Sequence, residues 1–474
     1  MPLGRNTGVS RTLRAFVLIL AAVVTGLIVD PFPGRQNSAG IIAARTRPDI
    51  ILITVDALRA DHLGVYGYDR PTSPNLDALA RESAVIRDHI AQAPYTKASM
   101  GSLFTGRFPS THKTYTVSSP FGEAMTGHIA GKLPVTDILD SRLWTLPAAL
   151  SSVGYSTIGL TTNPFLLKDF GFANGFGHYE FLSGKGEFAT AREVTREALT
   201  QLERQTGRPV FLWMHLMEPH SPYAPPAKVR AQFPPRLPPR PAPRDVIPGW
   251  LDPSGSLDAN HYEALYDAEI SDVDSALGEF FGALRRTSRW QQLVLVVTSD
   301  HGEEFFEHGG FEHNLTLYDE MLRVPLLIKA PGLRPGLREI QSQSVDLAPT
   351  LACAAGAEVP RDLAGADIGP VLQGGVASEP IAFAERPGER YAIRTREWKL
   401  ISSLEGHDEL YHLSVDPRER ANVAQANPER VTRLREQLNA VLAGAYKAGA
   451  SVRRDVAPVS QRTLERLKAL GYVR

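Results

Sequence analysis

The sequence predicts an α/β fold, a large mixed, mainly parallel β-sheet sandwiched by helices, with a small α+β subdomain at the C-terminal end. Short apolar runs rich in β-branched residues occur, with helical segments between them, at 50–55, 157–161, 210–215 and 293–298. Such runs are typical of buried parallel strands, and their alternation with helices indicates a parallel sheet covered by helices. Beyond residue 380 the pattern changes to strand-like pieces followed by an amphipathic helix at 428–448.

These changes of pattern divide the chain into three parts. We expect a leader at 1–36, a catalytic domain at 47–375 and a C-terminal subdomain at 376–474. The many prolines between Pro222 and Pro248 exclude regular helix or sheet and predict a surface loop beside the site.

The bulk composition is that of an ordinary globular protein. The 474 residues are 43% apolar and 22% charged, with a formal net charge of -1, so nothing indicates a surface for nucleic acid. Cys353 is the only cysteine, which excludes an intrachain disulfide and a cysteine-based zinc site. The length allows one large domain with a smaller appendage.

The N-terminus predicts export. Arg5, Arg11 and Arg14 precede an apolar run at 15–29. This run is shorter than the roughly 20 residues that span a bilayer, which favours a signal peptide, although an uncleaved anchor stays open. We therefore expect a periplasmic or extracellular protein, or one attached to the membrane through this segment.

Four residues bring together the groups that suit a divalent cation. Asp56 ends the first predicted strand, Thr96 precedes a helix start rich in small residues, and Asp300 and His301 follow a later strand. Taken singly, each also fits a strand end or a helix cap. A metal on the Thr oxygen would lower its pKa and create a nucleophile, while offsetting the charge of an anionic ester.

Further charged residues are candidates for contact with the ester. Lys97 and Arg107 lie near Thr96 in the sequence and could bind the non-bridging oxygens of a sulfate or phosphate, although a solvated lysine and a structural ion pair explain them equally well.

Four histidines follow strands or the Asp-His pair. Each could protonate a leaving group, bind an ester oxygen or ligate a second metal. We predict catalytic roles for His220 and His313 and substrate-binding roles for His215 and His308.

Several segments together resemble the sulfatase family of the alkaline phosphatase superfamily, and the likeness runs from about residue 49 to residue 473. The segments that carry the likeness are ITVDALRADHLGVYGY, SPNLDALA, SLFTGRFPSTH and TSDHGEEFFEHGGFEHNLTLYDEMLRVPLLIKAPG. The resemblance implies an alkaline-phosphatase-like sheet and one or two divalent metal ions held by Asp56, Asp300 and His301, with Thr96 as a further ligand and the nucleophile. We expect the ligating atoms to lie within about 5 Å of one another.

The chain departs from the usual family pattern at two places. Family members carry paired acids on the first strand, whereas Ala57 follows Asp56 here, and they carry an oxidisable Cys or Ser where this chain has Thr96. A formylglycine hydrate expels sulfate by breaking a carbon–oxygen bond, but a sulfated Thr would need water to attack sulfur. The chemistry therefore favours phosphorus esters and the likeness favours sulfate esters, and the ligand set suits zinc or manganese as well as the calcium usual in the family.

Three functions follow from these residues. The preferred one is hydrolysis of sulfate or phosphate-type esters of a small molecule, glycan or lipid. The alternatives are a phosphoethanolamine- or glycerophosphate-type transferase and a non-catalytic anion- or glycan-binding member. The non-catalytic alternative is the weaker, because a decayed site would not keep so many chemically competent residues.

Overall fold

The computed structural model describes residues 47–115, 135–184, 187–244, 246–247, 251, 255–313, 315–375 and 381–470. The predicted leader at 1–36 lies outside the described residues. Within the described ranges, no helix has the length and apolar character needed to cross a membrane.

The centre of the protein is a nine-stranded mixed sheet, with strand order β10-β2-β11-β7-β1-β6-β4-β5 and β12 paired to β2. Its strands are β1 Ile50–Val55, β2 Ala84–Ile90, β4 Ser156–Thr161, β5 His178–Phe181, β6 Val210–Leu216, β7 Val294–Ser299, β10 Arg323–Val324, β11 Leu326–Lys329 and β12 Gly336–Gln343. The five neighbours from β7 to β5 are parallel, whereas β10 and β11 run antiparallel to β2. The predicted mainly parallel sheet is confirmed, and the four predicted strands lie within one residue of the observed ones at each end.

Helices cover both faces of this sheet. They are α1 Pro74–Ala80, α2 Thr96–Thr105, α3 Pro109–His112, α4 Leu146–Ser152, α5 Ala191–Arg204, α6 Ala227–Arg230, α7 Ala259–Arg285, α8 Asp319–Leu322, α9 Leu347–Ala354, α10 Gly369–Leu372, α11 Pro428–Ala448 and α12 Gln461–Ala469. Alternate residues of β1 point to opposite faces. Ile51 and Ile53 pack in a core with α1, α5 and α7, while Ile50 and Leu52 pack in a second core with α2, α4 and α9.

The C-terminal region forms a separate antiparallel sheet, with order β13-β14-β15-β16. Its strands are β13 Ala382–Arg386, β14 Arg390–Arg394, β15 Trp398–Ser403 and β16 Asp408–His412. The remaining short strands among the described residues are β3 Val135–Asp137, β8 Glu304–Phe305, β9 Phe311–Glu312 and β17 Val456–Pro458. Helix α11 packs its apolar residues against this sheet. The predicted α+β region and the helix at 428–448 are confirmed.

The proline-rich segment departs from the prediction at one place. The helical turn α6 lies inside the stretch from Pro222 to Pro248, which we expected to contain no regular structure. The turn begins immediately after Pro226, where the fixed φ of proline suits the start of a helix and the missing amide proton costs nothing.

Candidate active site

The polar side chains of the site meet at the carboxyl ends of the parallel strands. Asp56 follows β1 and Asp300 follows β7, while His215 lies near the end of β6. The register pairs Thr54 of β1 with both His215 and Thr298, so these strands end at the same edge. The edge beyond the carboxyl ends is where open α/β sheets bind ligands.

Two buried carboxylate oxygens face one imidazole nitrogen at this edge. Within the described residues, Oδ1 of Asp56 and Oδ2 of Asp300 have no hydrogen-bond partner. His301 Nε2 lies 3.4 Å from the first oxygen and 3.5 Å from the second. His301 Nδ1 donates to the Gly302 carbonyl at 2.8 Å, so the neutral ring presents the Nε2 lone pair to both carboxylates. Three acceptors in one buried space repel one another unless a cation lies between them.

The backbone after β1 holds the other oxygen of Asp300. Asp300 Oδ1 accepts hydrogen bonds from the amides of Ala57, at 3.2 Å, and His301, at 3.0 Å. Ala57 has a φ of 56°, a conformation that residues other than glycine rarely adopt. This strained turn aims the amide at Asp300, and Oδ2 is left to face the cation position.

The two acids differ in their electrostatic balance. Burial alone would raise the pKa of Asp56, but the nearby His220, His215 and His301 outweigh it, and the net pKa lies well below the usual range. Burial and the neighbouring Asp56 raise the pKa of Asp300. Two neighbouring buried acids are typical of a site that takes up a positive ion, because ionising both without one costs free energy.

Thr96 joins this group from the first turn of α2. Its Oγ1 lies 3.2 Å from His301 Nε2. The hydroxyl of Ser99, on the same turn, donates to the Asp300 carbonyl, which ties the start of α2 to the loop after β7. The first amides of a helix have no acceptor within the helix and face an anion favourably.

Asn163 is a site residue that the sequence analysis missed. Its Nδ2 donates to Asp56 Oδ2 at 2.7 Å and lies 3.4 Å from Thr96 Oγ1, and its Oδ1 accepts from the Phe165 amide at 2.8 Å. Its position two residues beyond β4, another parallel strand, was the signal that could have identified it.

His215 lies between Thr54 and Asp56. We expected it to bind substrate, but it is buried, with Nδ1 2.8 Å from the Thr54 hydroxyl and Nε2 3.0 Å from Asp56 Oδ2. A ring nitrogen of His215, a carboxylate oxygen of Asp56 and a carboxylate oxygen of Asp300 lie within 4.8 Å of one another. Because Trp213 donates to the Thr54 oxygen at 3.0 Å, the Thr54 hydroxyl is directed to Nδ1, and Nε2–H donates to Asp56. His215 therefore orients Asp56, and His301 is the imidazole with its lone pair toward the cation position.

The two histidines predicted to be catalytic lie beside this group. The ring of His313 lies 4.5 Å from that of His301 and 4.7 Å from that of His220. Burial lowers the pKa of both His220 and His313. Glu303, which the sequence analysis did not select, lies 3.0 Å from His313 Nδ1, and burial raises its pKa to about 7.

Lys97 and Arg107 contact residues outside the group around Thr96. The Lys97 ammonium contacts the Thr136 hydroxyl and lies 4.8 Å from the centre of the Phe170 ring, and burial lowers its pKa to about 7. Arg107 lies beyond the far end of α2, about 15 Å along the helix axis from Thr96. It forms an ion pair with Asp362 at 2.8 Å. Both residues therefore make contacts within the protein, and their predicted contacts with the ester stay predictions.

His308 likewise contacts residues outside the group around Thr96. Its Nδ1 contacts the Glu320 carboxylate, and its Nε2 donates to the Glu419 carbonyl at 3.0 Å. Burial opposes its charge, but Glu320 raises its pKa to about 9. Its ring stacks on Tyr318 at 3.6 Å. His308 therefore joins the segment between β8 and β9 to Glu419, which follows β16, and its predicted substrate-binding role stays a prediction.

The donor set around Thr96 fits a divalent metal. Two carboxylate oxygens without hydrogen-bond partners, one imidazole lone pair and one hydroxyl converge from Asp56, Asp300, His301 and Thr96. The mixture of oxygen with a single imidazole suits zinc or manganese. Gly302 fixes the ring of His301, and Asn163 and His215 hold the second oxygen of Asp56, as outer contacts do in metal sites.

Two family models and several known proteins match this chain. The family model described as Sulfatase matches residues 48–357, and the model described as N-sulphoglucosamine sulphohydrolase, C-terminal, matches residues 306–446. The chain is 25% identical over 426 residues to the multifunctional alkaline phosphatase superfamily protein PehA of Trinickia caryophylli, covering 70% of this chain and 79% of that protein. It is 25% identical over 428 residues to a choline-sulfatase of Rhizobium meliloti (strain 1021), covering 81% of this chain and 83% of that one.

Solved structures show the same fold. The phosphonate monoester hydrolase of Agrobacterium radiobacter superposes with a TM-score of 0.67 at 21% identity, covering 84% of this chain and 96% of that chain. A protein solved in complex with D-glucosamine-2-N,6-O-disulfate superposes with a TM-score of 0.69 at 21% identity, covering 86% of this chain and all 100% of the other. The chain belongs to the sulfatase family and is an ester hydrolase of that family.

Proposed function

We propose that the protein is a metal-dependent hydrolase that uses Thr96 as a covalent nucleophile and prefers phosphate- or phosphonate-type esters to alkyl sulfates. The observation that carries the proposal is the position of the Thr96 hydroxyl, 3.2 Å from His301 Nε2 in a space that also contains the unpartnered oxygens of Asp56 and Asp300. That space has the charge and the donors to hold a divalent cation against Thr96.

The residues of the chain divide the work of the reaction. A divalent cation held by Asp56, Thr96, Asp300 and His301 would lower the pKa of the Thr96 hydroxyl and offset the charge of the ester. Thr96 Oγ forms the new bond to phosphorus as the bond to the leaving oxygen breaks. The ring of His313 lies beside that of His301, and the ring of His220 lies beside that of His313; in the protonated form, either would give a proton to that leaving oxygen. Water then attacks phosphorus, the bond from phosphorus to Thr96 Oγ breaks, and Oγ takes up a proton again in place of the one it lost when it attacked.

Donors around Thr96 favour the transition state over the free ester. Asn163 Nδ2, 3.4 Å from Thr96 Oγ1, and the first amides of α2 can donate to non-bridging oxygens as their negative charge grows. These donors are already fixed in the folded protein, since Asn163 is held by Phe165 and Asp56. Little reorganisation is needed when the ester binds.

The preference for phosphorus follows from the second half of the reaction. A phosphorylated Thr is released by attack of water at phosphorus with metal assistance. A sulfated Thr has no carbon–oxygen cleavage open to it, unlike a formylglycine hydrate. Relatives support both chemistries, because one similar structure is a phosphonate monoester hydrolase and one similar sequence is a choline-sulfatase.

A substrate screen tests the proposal. Purified protein loaded separately with zinc, manganese or calcium is assayed on 4-nitrophenyl phosphate, bis(4-nitrophenyl) phosphate, 4-nitrophenyl phenylphosphonate and 4-nitrophenyl sulfate. We expect a phosphorus ester to have the highest kcat/KM, and Thr96→Ala to lose that activity. A protein that turns over only the sulfate, or one equally active as Thr96→Ala, would contradict the proposal. Transfer of the phosphoryl group to added glycerol in preference to water would identify a transferase instead.

A further inference from the structure

Glu303 connects His313 to a second buried side chain. Glu303 is 0% exposed, and its Oε1 accepts a hydrogen bond from His313 Nδ1 at 3.0 Å. Its Oε2 accepts a hydrogen bond from the hydroxyl of Tyr223, also at 3.0 Å. Tyr223 is itself 4% exposed. Each carboxylate oxygen therefore has its own donor, and the three side chains form one hydrogen-bonded chain, Tyr223–Glu303–His313.

Further contacts hold Glu303 and Tyr223, two of these three residues, in place. The Glu303 amide donates to the Glu320 carbonyl at 3.1 Å, and the Glu303 carbonyl accepts from Arg59 Nη1 at 2.9 Å. The ring of Tyr223 packs edge-on against that of Tyr266, with 6.2 Å between their centres. These contacts fix the backbone of Glu303 and the ring of Tyr223, and so limit the movement of the carboxylate that accepts from His313.

The hydrogen bond to Glu303 fixes the state of the His313 ring. When Nδ1 donates to the carboxylate, Nε2 at the opposite edge is the nitrogen that takes up and gives away the second proton, and the carboxylate stabilises the protonated ring from which that proton is given. The ring also lies 4.5 Å from the ring of His301, so it borders the group around Thr96. An imidazole free to rotate about its side-chain bonds would present Nε2 to the departing group only part of the time.

We propose, resting on the function proposed above, that Glu303 and Tyr223 are positioning residues that hold His313 Nε2 at the oxygen of the departing group. They act on the step in which the bond from phosphorus to the leaving oxygen breaks, and that oxygen takes its proton from His313. The requirement for this proton grows as the leaving group becomes more basic. Substrate binding does not need it.

The proposal predicts a leaving-group signature. In Glu303→Ala, kcat for a phosphorus ester with a 4-methoxyphenyl leaving group should fall on the order of 10–100-fold, with a much smaller fall for 4-nitrophenyl and little change in KM. Glu303→Gln should recover most of the loss, because its amide oxygen can accept from His313 and its NH2 group can donate to the Tyr223 oxygen. Tyr223→Phe should show the same signature as Glu303→Ala to a smaller extent.

A double-mutant cycle separates positioning from general support of the fold. In the His313→Ala background, Glu303→Ala should add little further loss, because the ring on which it acts is gone. Glu405→Ala, at an exposed position, is the matched control, and thermal melting verifies folding of each variant. Equal losses for both leaving groups, a loss confined to KM, or additive losses in the cycle would overturn the proposal.

Failure of this inference is distinguishable from failure of the proposed function. If Thr96→Ala retains activity, the nucleophile is wrong and the proposed function fails. If Thr96→Ala is inactive while the Glu303 variants lose activity uniformly across leaving groups, only the positioning role is wrong.

Discussion

Asp56 shows how one carboxylate can be divided between two tasks. Its Oδ2 accepts from Asn163 at 2.7 Å and from His215 at 3.0 Å, while its Oδ1 has no hydrogen-bond partner among the described residues. The two donors fix the rotation of the carboxylate, so Oδ1 is presented to the cation position without loss of side-chain freedom on binding. Because Ala57, which has no carboxylate, follows Asp56, this single carboxylate at the end of β1 must be well oriented.

Asn163→Ala should therefore weaken metal binding. Loss of a donor to a ligating carboxylate typically costs about 10–100-fold in metal affinity. Titration of metal-free protein with zinc or manganese, followed by calorimetry, measures the change. Gln232→Ala, which removes an exposed amide on the surface, is the matched control. Unchanged metal affinity in Asn163→Ala would show that Asp56 is oriented by His215 alone.

Helix α7 carries a buried acid beside the segment that holds His220. Glu269 Oε1 accepts from the Ala224 amide at 2.8 Å, and burial, with the nearby Glu218, raises the pKa of Glu269 to about 8. Burial likewise raises the pKa of Glu218 to about 7. The folded protein therefore keeps protons on these acids at pH values where the unfolded chain has released them.

Stability should fall as pH rises through this range. The loss of stability caused by Glu269 is absent below 4.5, the pKa of this acid in the unfolded chain. It grows as pH rises and is complete above about 8. While one carboxyl titrates, the slope is at most about 1.4 kcal/mol per pH unit. Glu269→Gln, which keeps an acceptor for Ala224, should give a flatter dependence of Tm on pH between 5 and 8, with Glu203→Gln on the exposed face of α5 as the control. A slope as steep as that of the wild type would contradict this assignment.

Metal binding should stabilise the whole molecule, since its ligands come from segments far apart in the chain. Asp56 and Thr96 belong to the first part of the chain, whereas Asp300 and His301 follow β7. A ligand at 100 times its Kd stabilises the folded state by about 2.7 kcal/mol. Tm should therefore fall on chelation and recover on addition of zinc or manganese. Asp300→Asn should lose this response, and a wild-type Tm that is insensitive to metal would refute the site.

Export is the prediction that concerns the whole chain in its cell. The basic residues and apolar run before residue 30 predict that the protein leaves the cytoplasm, cleaved or held in the membrane by that segment. Fractionation of cells that express the full chain, with N-terminal sequencing of the product, measures this. Soluble cytoplasmic protein that retains Met1 would contradict it.

The parts of the fold that follow from local patterns were predictable. Strands β1 and β6 are mostly apolar runs, and α11 has a clear apolar face, so their limits could be predicted within a residue or two. Asp56 and Asp300 could be selected because polar residues at the ends of parallel strands share one edge of a sheet.

Other site residues depend on contacts that no local pattern records. Asn163 and Glu303 belong to the site because of partners distant in the sequence or because of the direction of their side chains. A single amide or a second acid has no spacing from the other site residues that would identify it in the sequence. The same reason explains Lys97 and Arg107, which are near Thr96 in sequence but point at Thr136 and Asp362. Proximity along a helix does not fix where a long side chain ends.

The most direct test of the account is the identity of the atom that carries the transferred group. Metal-loaded protein is mixed with a slow phosphorus ester, quenched in acid during turnover, digested and analysed by mass spectrometry. We predict the added mass of one phosphoryl or phosphonyl group on the peptide that contains Thr96, fragment ions that place it on that residue, and its absence in Thr96→Ala. An unmodified Thr96 peptide during steady turnover, with activity retained in Thr96→Ala, would contradict the account.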